Sequence, residues 1–286
     1  MDGILLVDKP AGMTSHDVVA ELRRALGTRA LGHAGTLDPQ ATGLLVLAVG
    51  KATRWLPYLP ADKRYRATIR LGLATDTEDI WGLATGRSDA SPPAEALFRS
   101  ALEGLTDLRT QEPPMVSAVK MGGRRLYELA REGISVERQA RPVRVRAVKV
   151  LEVRGLEADF EVECGPGTYV RTLCVEAGRR LGQPACMAAL RRLASGSFVL
   201  DSALPRERWT ADALAAALMD SDAALGHLPE RSLNMREAVD VSHGRAVETV
   251  AGLAPGTWRL TLDGRLLALA ESASGGGLRP TRVFPA

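Results

Sequence analysis

GHAGTLDPQATG, Gly32 to Gly43, places one acidic side chain, Asp38, in a loop dense with glycine and closed by Pro39. The apolar run that follows, Leu44 to Val49, is short and aliphatic enough to be a buried strand. Pro39 disfavours helical dihedrals at Asp38, so the carboxylate sits on extended or turn backbone. Glycines at 32, 35 and 43 permit sharp reversals or the close approach of another chain segment. Taken alone the stretch reads as a turn, because Asp-Pro flanked by glycine is a common way to open one. Whether it carries chemistry depends on what surrounds it.

Working outward, Ile4 to Val7 reads as a short buried strand, and Thr14 with Asp17 forms an approximate capping box. Val18, Val19, Leu22 and Leu26 then recur at helical spacing until Gly27. Tyr65 to Gly72 alternates like a half-buried strand. Ser91, Pro92 and Pro93 open a helix expected to carry Ala96, Leu97, Ala101 and Leu102 inward. Arg144 to Val153 and Asp159 to Cys164 alternate on either side of Gly155 and predict a hairpin. Gly165, Pro166 and Gly167 turn the chain into two expected helical stretches, Tyr169 to Leu181 and Ala185 to Leu193, and Thr210 caps an alanine-rich helix. GHLPER, Gly226 to Arg231, is the best linker candidate, so the expected division is 1–228 followed by a small β domain at 229–286. Strands and helices mix without regular βαβ alternation, which points to the α+β class.

At 286 residues and 45% apolar composition the chain can bury one large core and a small second one. Its net charge is only +3, yet Pro113 to Arg146 holds eight basic residues against three acids. Such concentration is the footprint expected of a polyanion-binding surface, although a solvated charged helix fits it equally well. The three cysteines lack CxxC pairing, and the four histidines show no metal spacing with each other or with the cysteines. No GxxxxGK[ST] or GxGxxG sits between a strand and a helix, which argues against a nucleotide-using enzyme. Only four consecutive apolar residues separate Asp2 from Asp8, too few for a signal or membrane anchor, so the expected compartment is the cytoplasm.

Four ordered segments are unusual together: GILLVDKPAGMTSHDVV from Gly3, GHAGTLDPQATGLLVLAVGKATR from Gly32, DKRYRATIRLGLATDTEDIWG from Asp62 and GTYVRTLC from Gly167. In these the chain closely resembles the bacterial tRNA pseudouridine synthase B family, from residue 3 to about 198 and more weakly to its end. The resemblance implies a pseudouridine synthase fold with a central mixed, mainly antiparallel sheet flanked by helices, plus a PUA-like C-terminal β domain. It also implies isomerisation of uridine 55 in the T loop of tRNA. That reaction is neither redox nor hydrolytic, so it needs no cofactor and no metal, but it does need a nucleophile or charge stabiliser at the sugar or base. A carboxylate serves in that way in retaining glycosidases, and the resemblance gives the role to Asp38, acting at C1′, at C6 or as a base at the 2′ position.

By the same resemblance Arg171 is the cation that offsets the desolvation of Asp38. Tyr65 stacks on the uracil and assists loss of the C5 proton, and Leu190 is an apolar wall of its pocket. His33 props the space left by flipped nucleotides, and Lys9, with Pro10, packs beneath the site. Asp79 and Tyr169 join the substrate-binding set, as do Lys120, Arg124 and Arg125 in a basic RNA-binding insert at about 113–146. Trp81 and Ala34 depart from the family pattern. The implied partner is tRNA, with no membrane and no required protein partner, bound by a monomer. Two rivals are a non-catalytic tRNA-binding or tRNA-folding module and a guide-dependent synthase. The intact Asp38, Tyr65 and Arg171 set speaks against the first, and the long basic insert against the second.

Overall fold

Leu44 to Val49 is buried without a break because its strand is covered on both faces, and the architecture follows from what covers each. A computed structural model describes residues 1–248, 254–272 and 276–284; residues 249–253, 273–275 and 285–286 of the expected C-terminal domain lie outside the described residues. In chain order the main elements are β1 (Gly3–Lys9), α1 (Ser15–Ala25), β2 (Thr42–Val49), β3 (Lys63–Leu71), α2 (Glu95–Glu103), β4 (Val145–Arg154), β5 (Glu157–Cys164), α3 (Val170–Arg180) and β6 (Ala185–Ser195). The strands pair in the order β1-β2-β6-β3-β5-β4, and with the short strands Leu31–His33 on β2 and Phe198–Val199 on β6 they make an eight-stranded sheet. Only the β2–β6 pairing is parallel, so the sheet is mixed and mainly antiparallel, as the resemblance implies.

Strand periodicity sorts the apolar side chains of β1 and β2. Leu5, Val7, Leu45 and Leu47 pack with Val18, Val19 and Leu22 of α1, while Ile4, Leu6, Leu44 and Val46 face Ala52, Trp55, Leu59 and Phe198. Each such Leu or Ile, wholly buried, contributes roughly 2 kcal/mol of transfer free energy. The capping box at Thr14 is complete, with Asp17 bonded back to the Thr14 amide. The third core, under β3, β5, β6, α2 and α3, includes Ile69, Phe160, Phe98, Leu173 and Met187.

Two expectations fail. Ala185 to Leu193 is a strand: β6 pairs with β3 along its length and touches β2 at Arg191 and Arg192. Its alanine, leucine and arginine favour helix, but local preference is overridden by two neighbouring strands that complete its hydrogen bonds. In α2, Phe98 turns inward with Ala101 and Leu102, whereas Ala96 is exposed and Leu97 is 61% exposed. Spacing from position 101 admits either residue, and packing on β4 chooses the aromatic one.

The chain continues into β7 (Glu230–Ser232), α4 (Met235–Ser242), β8 (Val247–Glu248), β9 (Thr257–Leu262), β10 (Arg265–Ser272) and β11 (Gly277–Val283). These strands form a five-stranded sheet in the order β7-β9-β10-β11-β8. GHLPER does not behave as a free tether. Arg259 pairs with Asp222 at 2.6 Å and Glu230 at 3.0 Å, spanning the stretch from both sides, and Leu269 of the second sheet and Phe284 just after its last strand join the core beneath β1 and β2.

Candidate active site

The Asp38 loop is pinned on both sides of the aspartate. The Leu37 amide donates to the Ser15 hydroxyl at 2.9 Å, which in turn donates to the Leu37 carbonyl at 3.2 Å. The Pro39 carbonyl accepts from the Gly12 amide at 2.8 Å and from Lys9 Nζ at 3.1 Å. Lys9 is fully buried and gives its remaining donors to the carbonyls of Pro10 and Met13. Burial pushes its ammonium down to about 8 despite the opposing charge of Asp38. With no surface left for substrate, Lys9 leaves the expected substrate-binding set and is a positioning residue for the loop.

Arg171, on the first turn of α3, meets Asp38 with two nitrogens, Nε to Oδ2 at 3.1 Å and Nη2 to Oδ1 at 3.5 Å. Its other bonds, each 2.8 Å, go to the carbonyls of Thr77 and Val116. The guanidinium side chain is 4% exposed and the carboxylate 37%, so a fixed fork holds a carboxylate that still reaches the cavity. Asp79 is spent locally: its Oδ1 accepts from Thr77 Oγ1 at 2.7 Å and the Trp81 amide at 3.1 Å. It shapes the turn that presents the Thr77 carbonyl and does not line the cavity. Glu78 of this turn has φ +63° and accepts from Thr172 Oγ1 at 2.6 Å. The Trp81 and Ala34 departures leave the local hydrogen bonds intact, since both residues enter them through backbone amides.

A cavity of about 630 Å³ opens beside this pair, lined among others by Asp38, Tyr65, Arg171, Leu190, His33 and Tyr169. Tyr65 is 9% exposed, and burial raises its phenol above the ordinary value while Arg192 opposes the shift. Tyr169 is held by Gln111, which accepts its amide hydrogen bond at 2.8 Å and donates to its carbonyl at 3.0 Å. His33 keeps a buried, unpartnered Nδ1 and packs edge-on against His16 at 5.5 Å; burial lowers its pKa, with His16 and Arg192 adding to the effect.

Two cavity cations were not anticipated. Arg192 is 1% exposed, donating from Nε to the Leu44 carbonyl at 2.6 Å and from Nη2 to that of Gly35 at 3.2 Å. Lys63 donates to the Ala61 carbonyl at 2.9 Å, and burial followed by Arg192 pushes it down to about 8. Its signal was available, because Lys63 and Tyr65 stand two apart on one strand and share a face. The signal for Arg192 was hidden by reading β6 as a helix.

Ser117 and Ala118 of the basic insert line this cavity, but Lys120, Arg124 and Arg125 lie apart from it. Lys120 is exposed on a hairpin with Arg125, and Arg124 pairs with Glu132. Arg125 lies over the Tyr127 ring at 5.8 Å in a second cavity. The three cysteines are buried and free. Among the described residues no group of three or more His, Cys, Asp or Glu side chains is placed to hold a metal, and no helix is long and apolar enough to cross a membrane.

Residues 23–170 match the model of the TruB family pseudouridylate synthase, N-terminal domain. The chain belongs to this family. It is 42% identical over 287 residues to a tRNA pseudouridine synthase B of Aromatoleum aromaticum, covering 99% of this chain and 92% of that one. Against the protein of the same name from Thermobifida fusca the identity is 43% over 292 residues, covering 99% and 98%. Among solved structures, one chain of a Cbf5-Nop10-Gar1 complex superposes with a TM-score of 0.76 at 28% identity, covering 99% of this chain and 85% of that chain. The TruB-family membership accounts for the mixed sheet and places the Asp38 loop, β3 and β5 inside the matched region, with Arg171 one residue beyond it.

Proposed function

We propose that this TruB-family pseudouridine synthase isomerises uridine 55 in the T loop of tRNA, with Asp38 as the essential carboxylate. The observation that carries the reading is the Asp38–Arg171 pair at the mouth of a cavity whose lining includes Tyr65 and Leu190. Asp38 is the only acidic residue lining it among the described residues. The reaction breaks the C1′–N1 bond, turns the uracil, joins C1′ to C5 and releases the C5 proton, so every atom is retained apart from protons exchanged with solvent. The Asp38 carboxylate serves bond cleavage while Arg171 fixes its position. Tyr65 holds the uracil by stacking and assists departure of the C5 proton, with Arg192 offsetting the phenolate charge that burial disfavours. Leu190 supplies an apolar wall.

The uridine must leave its stack, at a cost of a few kcal/mol, and His33 at the cavity rim is the residue we assign to the vacated space. The insert at 113–146, including Lys120, Arg124 and Arg125, gives phosphate contacts, and the 229–286 sheet extends RNA binding beyond the 1–228 catalytic unit. The names of the Aromatoleum and Thermobifida relatives support tRNA as substrate. We read the protein as a cytoplasmic monomer requiring no cofactor and no protein partner, since its own basic insert can grip the RNA. Release of tritium from C5-labelled uridine in a tRNA transcript tests this. Wild-type protein releases it stoichiometrically with pseudouridine, and Asp38→Asn reduces the rate at least about 10³-fold; turnover surviving in that variant would sink the assignment.

A further inference from the structure

Glu78 stands where the backbone favours glycine. Its φ is +63°, and among the described residues the only other side chain held at positive φ belongs to Asp263, in the turn between β9 and β10. Glycine would adopt this conformation without strain, so what the glutamate side chain does there is informative. It reaches across to α3, where Thr172 Oγ1 donates to Glu78 Oε2 at 2.6 Å.

Thr172 follows Arg171 in the chain, and Thr77 precedes Glu78. Arg171 Nη1 donates to the Thr77 carbonyl at 2.8 Å, so two adjacent bonds clasp residues 77 and 78 to residues 171 and 172. The clasp is anchored on β6, because the Met187 amide donates to the Glu78 carbonyl at 3.0 Å and the Ile80 amide donates to the Met187 carbonyl at 2.9 Å. α3 has no acidic residue in its own first turn and no side-chain cap at Tyr169. The Glu78 carboxylate therefore brings, from outside the helix, the negative charge that a helix N-terminus favours.

The charged and titratable groups facing Glu78 are Arg171 and Cys174 of α3, with Arg138 and Glu112 at the base of the insert. Arg138 donates to the Pro113 carbonyl at 3.0 Å and so ties the two ends of the insert together. Burial raises the Glu78 carboxyl above its ordinary value; the Thr172 bond and both arginines oppose the rise, and Glu112 adds to it.

We propose that Glu78 is a positioning residue for the isomerisation, its carboxylate holding the first turn of α3 through Thr172 so that Arg171 keeps its two-nitrogen grip on Asp38. The assignment rests on the pseudouridine synthase reading of the Asp38 and Arg171 pair. Glu78 is ionised above its raised pKa and neutral below it. As pH falls through that value, the acceptor opposite Thr172 loses its charge, the brace on Arg171 weakens and kcat declines.

Three variants and their pH profiles test the clasp. Glu78→Gly removes the carboxylate and relaxes the backbone, so it lowers kcat about ten-fold while Tm and KM for tRNA stay close to wild type. Glu78→Gln keeps an oxygen for the Thr172 hydroxyl without the charge; it loses less kcat and flattens the acid side of the kcat profile. Thr172→Val lowers kcat by about the same factor as Glu78→Gly, and the double variant loses no more than either alone. If Glu78→Gly leaves kcat and its acid side unchanged, or if the Glu78→Gly and Thr172→Val penalties multiply, the proposal is overturned. Absence of wild-type turnover on tRNA would instead refute the activity, and the clasp is then read from the exchange protection of the Arg171 Nε proton by NMR. Protection lost in Glu78→Gly supports the role, and protection unchanged overturns it.

Discussion

Lys63 gives the cavity a titratable wall. Its ammonium is held near 8 by burial and by Arg192, and it shares the cavity-facing side of β3 with Tyr65. A lysine with a lowered pKa is charged below that value and neutral above it, so its attraction for the phosphates of a bound nucleotide is lost as pH rises through about 8. We expect kcat/KM for tRNA to decline across that range in wild type and the decline to flatten in Lys63→Arg, which stays charged. Lys9, also near 8, is unchanged in that variant, so any residual decline belongs to the loop beneath Asp38. A pH profile that is the same in Lys63→Arg and wild type contradicts the role given to Lys63. The turn that carries Asp38 was legible in the sequence because Pro39 and the flanking glycines set its backbone; its environment was not, because Ser15 and Lys9 brace its neighbours and Arg171, itself held by the Thr77 and Val116 carbonyls, meets it from a distant part of the chain.

At the scale of elements, the site depends on the parallel contact of β2 with β6. Gly43 makes it possible: its φ is +101°, and a Cβ there would lie 2.4 Å from the Arg192 carbonyl oxygen and 2.7 Å from its nitrogen. Gly43→Ala must therefore separate the strands or move Arg192, and we expect it to cost about 2 kcal/mol or more, a fall in Tm of at least about 5 °C. Gly122→Ala also sits at positive φ but meets open space, so its loss should be smaller. Thermal unfolding of the two variants checks the order, and equal losses would deny the close approach its importance. β1, α1, β3 and the β4–β5 hairpin were legible because periodicity and turn residues agree in each. The strand β6 was not, since helix-favouring residues form it and its partners come from more than 100 residues earlier.

For the whole molecule, the second sheet is held on the first by apolar contact and by Arg259. Trp55 meets Phe284 edge-on with ring centres 6.4 Å apart, and Leu269 is fully buried in the same cluster. Leu269→Ala leaves a cavity at this junction and should cost about 2–5 kcal/mol. Because the junction lies against β1 and β2, wild type is expected to melt in one calorimetric transition and the variant in one transition at lower temperature. Two resolved transitions in wild type would show that the sheets unfold separately. The second sheet begins at Glu230, within the stretch expected as the linker, but nothing local in the sequence reveals that Asp222 and Glu230 meet Arg259 across it.

Local chemistry in the chain was enough to indicate the α+β class, the turn that carries Asp38 and the strand that carries Tyr65, because each depends on neighbours within a few residues; the roles of Asp38, Tyr65 and Arg171 came from the resemblance of four ordered segments to a known family. Folding decided which charges are substrate-facing and which are structural. Lys9 and Asp79 resemble site residues in sequence but are consumed by carbonyls, hydroxyls and amides, while Lys63 and Arg192 enter the cavity unannounced. The same holds for the second cavity, whose walls are brought together from α1, the Asp38 loop and the insert. Hydrogen-bond satisfaction and burial are properties of segments distant in the chain meeting in space, and only their packing assigns them.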